Sequence, residues 1–339
     1  MKKVCIVGGG NLGHVIAGYL SACGKARISI LTSKPEVWSH TLAIHTPQDK
    51  ILTGNIDAIS ANAAAVIPGA DIILFCLPGF AIRNKLEQIK PCLLPGQFVG
   101  SVFCSTGFFF EALDLLPSDV ALFGFQRVPF IARVTECGKS ADLKGFKESH
   151  NIAVENCSIE EKESFRNLIS DMFDAPVTLL SNYYEASFTN SNPILHTSRL
   201  YSMFKDWIPG TEYPRNYLFY QEWNIESAQC LIDMDRELFD ILDRLPVRKG
   251  FLKTILDYYD SSDSQSLTHK LSSIEGFKGI YSPMVQTSSG GFVPDFGSRY
   301  FTEDFPYGLH YIWKQAHELN IKVPTIDKVY NWGISKLNY

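Results

Sequence analysis

The chain of 339 residues is too long for one core of ordinary size and predicts two domains, each able to bury its own. Hydrophobic residues make up 45% and charged residues 20%, the balance of a globular protein rather than of a disordered or fibrous one. The formal net charge of -5 gives no reason to expect a polyanionic partner, so nucleic-acid binding is disfavoured.

The opening "MKKVCIVGGG" starts basic, but its apolar run of four residues stops at glycines, short of a signal-peptide core. No stretch reaches the roughly 18 apolar residues of a membrane helix, so no membrane association is expected. Eight cysteines are scattered without a CxxC pair and read as small buried hydrophobes in a reducing cytoplasm, and no ligand pair has the spacing of a metal site.

The first element pair is the clearest. "KVCIVGGGNLGHVIAGYLSACG" is an apolar strand, a glycine turn, and a helix whose apolar residues Val15, Ile16, Tyr19 and Leu20 keep helical spacing. Gly8, Gly10 and Gly13 fit G-x-G-x-x-G in that context, and the turn with Asn11 and Leu12 presents free backbone N–H groups to a pyrophosphate. His14, inside the turn, reads as a helix-surface residue. The next strand, "ARISILT", ends where an NAD-binding protein usually carries an acid for the ribose hydroxyls, and here Thr32, Ser33 and Lys34 follow. Two hydroxyls and a cation suit a 2′-phosphate, which favours NADP. NAD stays open, since Glu36 could reach back to a ribose.

Alternating strands and helices continue. "ADIILFCLPGF" is a strand ending at Leu77 with a Pro78–Gly79 turn, and "GQFVGSVFCSTG" is a further strand with a polar end at Cys104 to Gly107. Such carboxyl ends form the ligand crevice of a doubly wound sheet. Strands return at "VALFGF", "NIAVEN" and "PVTLLS", with a helix from the cap Ser158 and its capping-box Glu161 between the last two. The segment "GFQRVPFIARV" reads as a loop in which Gln126 could reach a ligand, while Arg127 and Arg133 are cleft or surface arginines in equal measure. The reading is thus an α/β, Rossmann-type doubly wound domain over residues 1–181, followed by an all-α domain over 182–339.

The second half changes character. "NPILHTSRLY" begins a helix with His196 near its start, and "YLFYQEWNIESAQCLIDMDRELFDILDRL" reads as a long helix with a solvated acidic face. Its Tyr217, Tyr220 and Trp223, with Tyr201, read as core more than as pocket. In "RYFTEDFPYGLHYIWKQAHEL", Leu309, Ile312, Trp313, Ala316 and Leu319 mark one face of a helix starting near Pro306. There Asp304 is positioned to cap, Arg299 could be a surface residue, and His310 and His317 read as structural.

The glycine motif, "NPILH" opening a helical second domain, and "RYFTEDFPYGL" together resemble the octopine/nopaline (opine) dehydrogenase family, within the wider 6-phosphogluconate-dehydrogenase-like group. The resemblance spans the chain. It implies that His196 is the acid/base, that Asp304 is its hydrogen-bonded carboxylate, that Arg299 holds a substrate carboxylate, and that Asn192 is a polar residue one turn before the histidine. In one respect the chain departs from the family: Thr197 follows the histidine, where proline is common.

The implied reaction is NAD(P)H-dependent reductive condensation of an amino acid with a 2-oxo acid such as pyruvate, in a cytoplasmic enzyme that could be a homodimer. The chemistry explains the residue types. Histidine exchanges protons near neutrality, a carboxylate fixes its tautomer, and arginine clamps a carboxylate bidentately. The same parts would serve a 2-oxo-acid or 3-hydroxy-acid reductase, similar to ketopantoate reductase. A catalytically silent dinucleotide-binding regulator is a third possibility, whose signature would be loss of the histidine or its carboxylate.

Overall fold

The computed structural model describes residues 1–337, and the chain divides into two compact units, the first Met1–Thr189 and the second from Asn190 onward. The division falls at Thr189, beyond the boundary expected at Ser181. Residues 182–189 stay with the first unit because the Tyr183 N–H donates to Glu155 Oε1 at 2.7 Å and the short helix there packs on the sheet.

In chain order the first unit comprises β1 (Lys2–Val7), α1 (Asn11–Ala22), β2 (Ala26–Leu31), β3 (Thr41–His45), β4 (Ile51–Ser60), α2 (Ala63–Val66), β5 (Ile72–Phe75), α3 (Gly79–Ile89), β6 (Phe98–Ser101), α4 (Phe108–Leu115), β7 (Ala121–Phe125), β8 (Phe130–Glu136), β9 (Ser140–Phe146), β10 (His150–Glu155), α5 (Ile159–Phe173), β11 (Val177–Leu179) and α6 (Tyr183–Ser187). The strands make one sheet in the order β11-β10-β7-β6-β5-β1-β2-β4-β3-β9-β8. From β7 to β2 the pairing is parallel, with β1 between β5 and β2. Strands β5 and β7 are buried at every position, as expected where a parallel sheet is covered on both faces. The chain order reverses between β1 and β5, so a ligand crevice belongs at the carboxyl ends of these strands.

Two hairpins were not foreseen. Strands β3 and β4 pair antiparallel, β8 and β9 do the same, and β3 joins the two hairpins by pairing parallel with β9. The segment read as a loop around Arg133 is therefore strand β8. All four strands pack against α1, which also touches β1 and β2. Every residue of α1 from Gly13 to Leu20 is buried as a result.

The second unit comprises α7 (Asn192–Phe204), α8 (Ile225–Leu242), α9 (Ile255–Tyr258), α10 (Ser264–Ser273), β12 (Met284–Gln286), β13 (Phe292–Pro294), α11 (Arg299–Thr302), a π-helical turn (Phe305–Leu309), α12 (His310–Glu318) and α13 (Pro324–Lys336). It is helical apart from the antiparallel pair β12–β13, where a Gly/Ser loop was expected. The long helix is shorter than its apolar pattern suggested. The Asn224 side chain accepts the Ser227 N–H and caps α8, which leaves 217–223 as irregular chain.

Nor is the acidic face of α8 wholly solvated. Asp235 and Glu237 are buried, Asp235 accepting the Ile255 N–H at 2.9 Å and Glu237 accepting those of Thr325 and Ile326 at 2.8 Å each. These carboxylates hold the starts of α9 and α13. Burial pushes the Asp235 carboxyl up to about 6.

Candidate active site

At the carboxyl edge of the first unit, β1 ends at Val7 and the chain turns through three glycines into α1. Gly8 has φ +113°, and a Cβ there would lie 2.6 Å from Leu77 Cδ2 and 2.7 Å from Cys76 O. Gly13 sits so close to the Gly8 carbonyl oxygen that a Cβ would overlap it. Gly10 begins α1 without a side-chain cap, and a Cβ added there would meet only Cys76 O, at 4.0 Å. The first-turn amides of Asn11, Leu12 and Gly13 lack helical acceptors, in an open position at the positive end of the helix. That cradle fits a pyrophosphate. The Asn11 side chain is oriented by its Oδ1, which accepts the Val134 N–H at 2.8 Å, and keeps its Nδ2 as a donor beside the backbone amides.

His14 is not on the surface. It is fully buried, with Nδ1 3.0 Å from Gly10 O, Nε2 accepting the Gly138 N–H at 2.7 Å, and its ring stacked on Trp38 at 4.1 Å. Burial lowers its pKa, in keeping with the neutral ring these bonds require. Sequence periodicity missed this because the second hairpin covers a helix face that would otherwise meet water.

Beyond β2, Thr32 is buried and its hydroxyl accepts the Lys34 N–H at 3.4 Å, whereas Ser33, Lys34 and Glu36 are exposed. Strand β5 ends at Phe75, two residues before the end expected at Leu77, so Leu77 and Pro78 lie in the turn that follows, with Pro78 at the N-cap position of α3. Gln126 lies at the carboxyl end of β7, buried, with its amide engaged at both ends. Its Nε2 donates to Thr189 Oγ1 at 2.8 Å and to Glu185 O at 3.4 Å, and its Oε1 accepts from Asn151 Nδ2 at 2.9 Å. The expected ligand-facing glutamine is thus a tie between β7, β10 and the end of the unit. Within the polar segment Cys104 to Gly107 expected at the crevice, Ser105 has a buried hydroxyl without a hydrogen-bond partner among the described residues.

In the second unit the residues paired by resemblance come together. His196 lies on α7, and its Nδ1 is 2.8 Å from Asp304 Oδ2. The reason is local to both segments. Pro193 in the first turn starts α7 at Asn192, and Thr197, in the position where the family often has proline, continues the helix and bonds back to Pro193 O. Asp304 precedes the π-helical turn, closed by the Leu309 N–H donating to Asp304 O at 2.7 Å. Gly308 lets that turn approach α7, for a Cβ there would lie 3.0 Å from Pro193 Cγ. Asp304 makes no side-chain cap, so its carboxylate goes to the imidazole instead of to its own helix. The other ring nitrogen, Nε2, is 3.0 Å from the Tyr220 hydroxyl, and the Tyr300 ring packs edge-on at 4.8 Å.

Arg299 and Asn192 are exposed, at the starts of α11 and α7, and neither side chain has a partner among the described residues. Asn192 lies four residues before His196 and shares its helix face. Tyr220 and Trp223 are buried as core residues, yet Tyr220 reaches the histidine. Among the described residues no group of three or more His, Cys, Asp or Glu side chains is placed to hold a metal ion, and no helix is long and apolar enough to cross a membrane.

Residues 179–337 match the NAD/NADP octopine/nopaline dehydrogenase alpha-helical domain, and residues 3–104 match the family described as NADP oxidoreductase, coenzyme F420-dependent. The chain is 28% identical to opine dehydrogenase of Haliotis discus hannai, covering 98% of this chain and 89% of that protein. It is 29% identical to tauropine dehydrogenase of Arabella iricolor, covering 98% and 91%. A glycine-turn α/β unit followed by a helical unit of this kind makes the protein an NAD(P)-dependent oxidoreductase. The same fold is seen in the solved structure of octopine dehydrogenase with NADH and L-arginine, at TM-score 0.86 and 23% identity over 100% of this chain and 90% of that one. Residues 179–337 are thus similar to the helical domain of the octopine/nopaline dehydrogenases, and the chain over nearly its whole length is similar to opine and tauropine dehydrogenases.

Proposed function

We propose that the protein joins the amine of an amino acid to a 2-oxo acid such as pyruvate and reduces the product with NADPH. The observation that carries this reading is the 2.8 Å contact of His196 Nδ1 with Asp304, in a unit whose relatives are named opine and tauropine dehydrogenases. The amine attacks the carbonyl carbon to give a carbinolamine, whose C–O bond breaks as water leaves and C=N forms. His196 takes the proton that the amine loses on attack and gives it to the departing oxygen, and Asp304 holds the ring's tautomer and stabilises the imidazolium formed in between. Bound at the glycine turn, the dinucleotide supplies the hydride that reduces the imine carbon. The unengaged guanidinium of Arg299 holds the oxo-acid carboxylate, with Asn192 on the face of α7 that carries His196. Gln126 contributes by keeping the end of β7 in place.

The test is oxidation of NADPH with pyruvate and a pool of amino acids, each component omitted in turn. The expected result is consumption only when oxo acid and amine are both present. Equal consumption with the oxo acid alone would overturn the reading in favour of a plain 2-oxo-acid reductase.

The preference for NADPH rests on the absence of an acid at the end of β2 and on Lys34, which is exposed and has no ion pair among the described residues. Ser33 and Lys34 bind the 2′-phosphate, with the Thr32 hydroxyl beneath them holding the Lys34 amide. NADPH is expected to bind tighter than NADH, and Lys34→Asp to weaken NADPH about 10-fold or more while sparing NADH, one lost charge-assisted contact being worth about 1.5–3 kcal/mol. Binding titrations with both dinucleotides decide it; an unmodified protein that favours NADH refutes the assignment.

A further inference from the structure

Tyr220 sits on a segment read from sequence as helix, and in the structure that segment is irregular chain between two helices. Its ring is 5% exposed, stacked on Phe277 at 4.1 Å and parallel to Trp223 at 6.0 Å. The Phe219 N–H donates to Ile280 O at 2.8 Å, and Arg199, on α7 one turn after His196, ties the segment to the helix that carries the histidine. The guanidinium donates to Phe219 O at 3.0 Å and to Glu222 O at 2.7 Å, on either side of Tyr220, and to Ser227 Oγ at 3.1 Å.

Arg199 is 3% exposed and has no ion pair among the described residues. Burial lowers its pKa to about 10, so it remains a cation at neutral pH. A buried cation is costly, and the Glu222 carboxylate offsets only part of that cost at a distance, without a direct ion pair. Here three oxygen acceptors and the Trp223 ring, 5.5 Å from its Cζ, offset the cost. A surface loop could be held by far less, and the group this loop presents to the site is the Tyr220 hydroxyl.

We propose that Tyr220 is a positioning residue for His196, and that Arg199 sets its place. The inference rests on His196 being the acid/base. Neutral His196 gives Nδ1–H to Asp304 and accepts the Tyr220 O–H at Nε2, so the ring is held at both ends. Tyr220 remains a donor because burial pushes its pKa up. The hydroxyl keeps Nε2 aimed and favours the neutral base until the reacting oxygen or nitrogen of the substrate takes its position. The titratable and charged groups around this contact are Asp304 at Nδ1, Tyr300 edge-on to the ring, Tyr259 acting on Tyr220, and Arg199 on the same helix. Glu222, on the segment of Tyr220, acts on Arg199 in turn, and none of these groups hydrogen-bonds Nε2, which has the Tyr220 hydroxyl at 3.0 Å.

The experiment uses Tyr220→Phe in the full chain, with ring-labelled histidine followed by NMR and the pH profile of kcat/KM measured alongside. Loss of the donor to the neutral ring should raise the His196 titration midpoint by roughly half a unit to one unit. The acid limb of the pH profile should move by the same amount, kcat/KM should fall about 10-fold, and the KM for NADPH should stay unchanged. Arg199→Lys should shift the midpoint in the same direction, and it carries the test if Tyr220→Phe does not fold. A His196 midpoint that does not move in the folded variant overturns the inference, and so does lost activity with an unmoved pH profile. Failure of the proposed reaction is distinguishable, because His196→Ala would then turn over normally while the NMR titration still read the contact with Tyr220.

Discussion

Replacing His196 by alanine is expected to lower turnover by about 10² to 10⁴, the range for a lost general acid/base, while NADPH binding at the glycine turn stays nearly intact. Asp304→Asn should do comparable damage without removing volume. An amide at 2.8 Å from Nδ1 can misorient the ring and cannot stabilise its charged form as a carboxylate does. Arg299→Ala should differ in kind, raising the KM for the oxo acid far more than the KM for NADPH, since its guanidinium has no partner among the described residues and acts through the substrate. A histidine that merely filled a helix interface would give the opposite pattern. Its truncation would cost about 0.5–3 kcal/mol of stability and leave the folded fraction active. Melting temperature and turnover measured on the same samples separate the two, and a destabilised His196→Ala protein with normal turnover per folded molecule refutes the acid/base role.

The second large effect is expected at Gly13. A methyl group there must displace the Gly8 carbonyl oxygen, which is backbone and cannot swing aside as a side chain would. Over-packing of this kind costs about 1–3 kcal/mol, divided between the junction of β1 with α1 and the amides that face the pyrophosphate. Gly13→Ala should therefore lower the melting temperature and weaken dinucleotide binding, up to about 100-fold if the whole cost falls on the bound state. Turnover at saturating cofactor should change little, because the residues around His196 belong to the other unit. A Gly13→Ala protein that binds NADPH as tightly as its parent would remove the turn from the cofactor site.

How much of this was legible depends on where the cause of each feature lies along the chain. The strand, turn and helix from Lys2 to Ala22 could be read because every requirement is local: apolar β-branched residues, a positive φ at Gly8, helical spacing after Gly13. The capping box of Ser158 with Glu161 closes over three residues and was equally plain. The two hairpins escaped because each strand shows water one of its faces. In β3 only Leu42 and Ile44 are buried, and such short alternation acquires its meaning only when β9 lies beside it. His14 was misplaced for the same reason, since the atoms that bury it come from Gly138 and Trp38.

For the site, the residue types were visible and the arrangement was not. The motif "RYFTEDFPYGL" pointed to Arg299 and Asp304 by resemblance, but its own chemistry read equally well as a helix cap and a surface arginine. The π-helical turn and Gly308 against Pro193 bring Asp304 to a histidine 108 residues away. Tyr220, 24 residues from His196, had no local signal at all, because a tyrosine among aromatics reads as core until the loop carrying it is pinned by Arg199. By itself the sequence determined the dinucleotide turn, the change from a parallel sheet to helices, and the set of residues able to move a proton or hold a carboxylate, since composition and local conformational preference suffice for these. Only the tertiary structure decided which of those groups meet. A hydrogen bond requires atoms within about 3 Å, and distance along the chain says nothing about whether packing will deliver that.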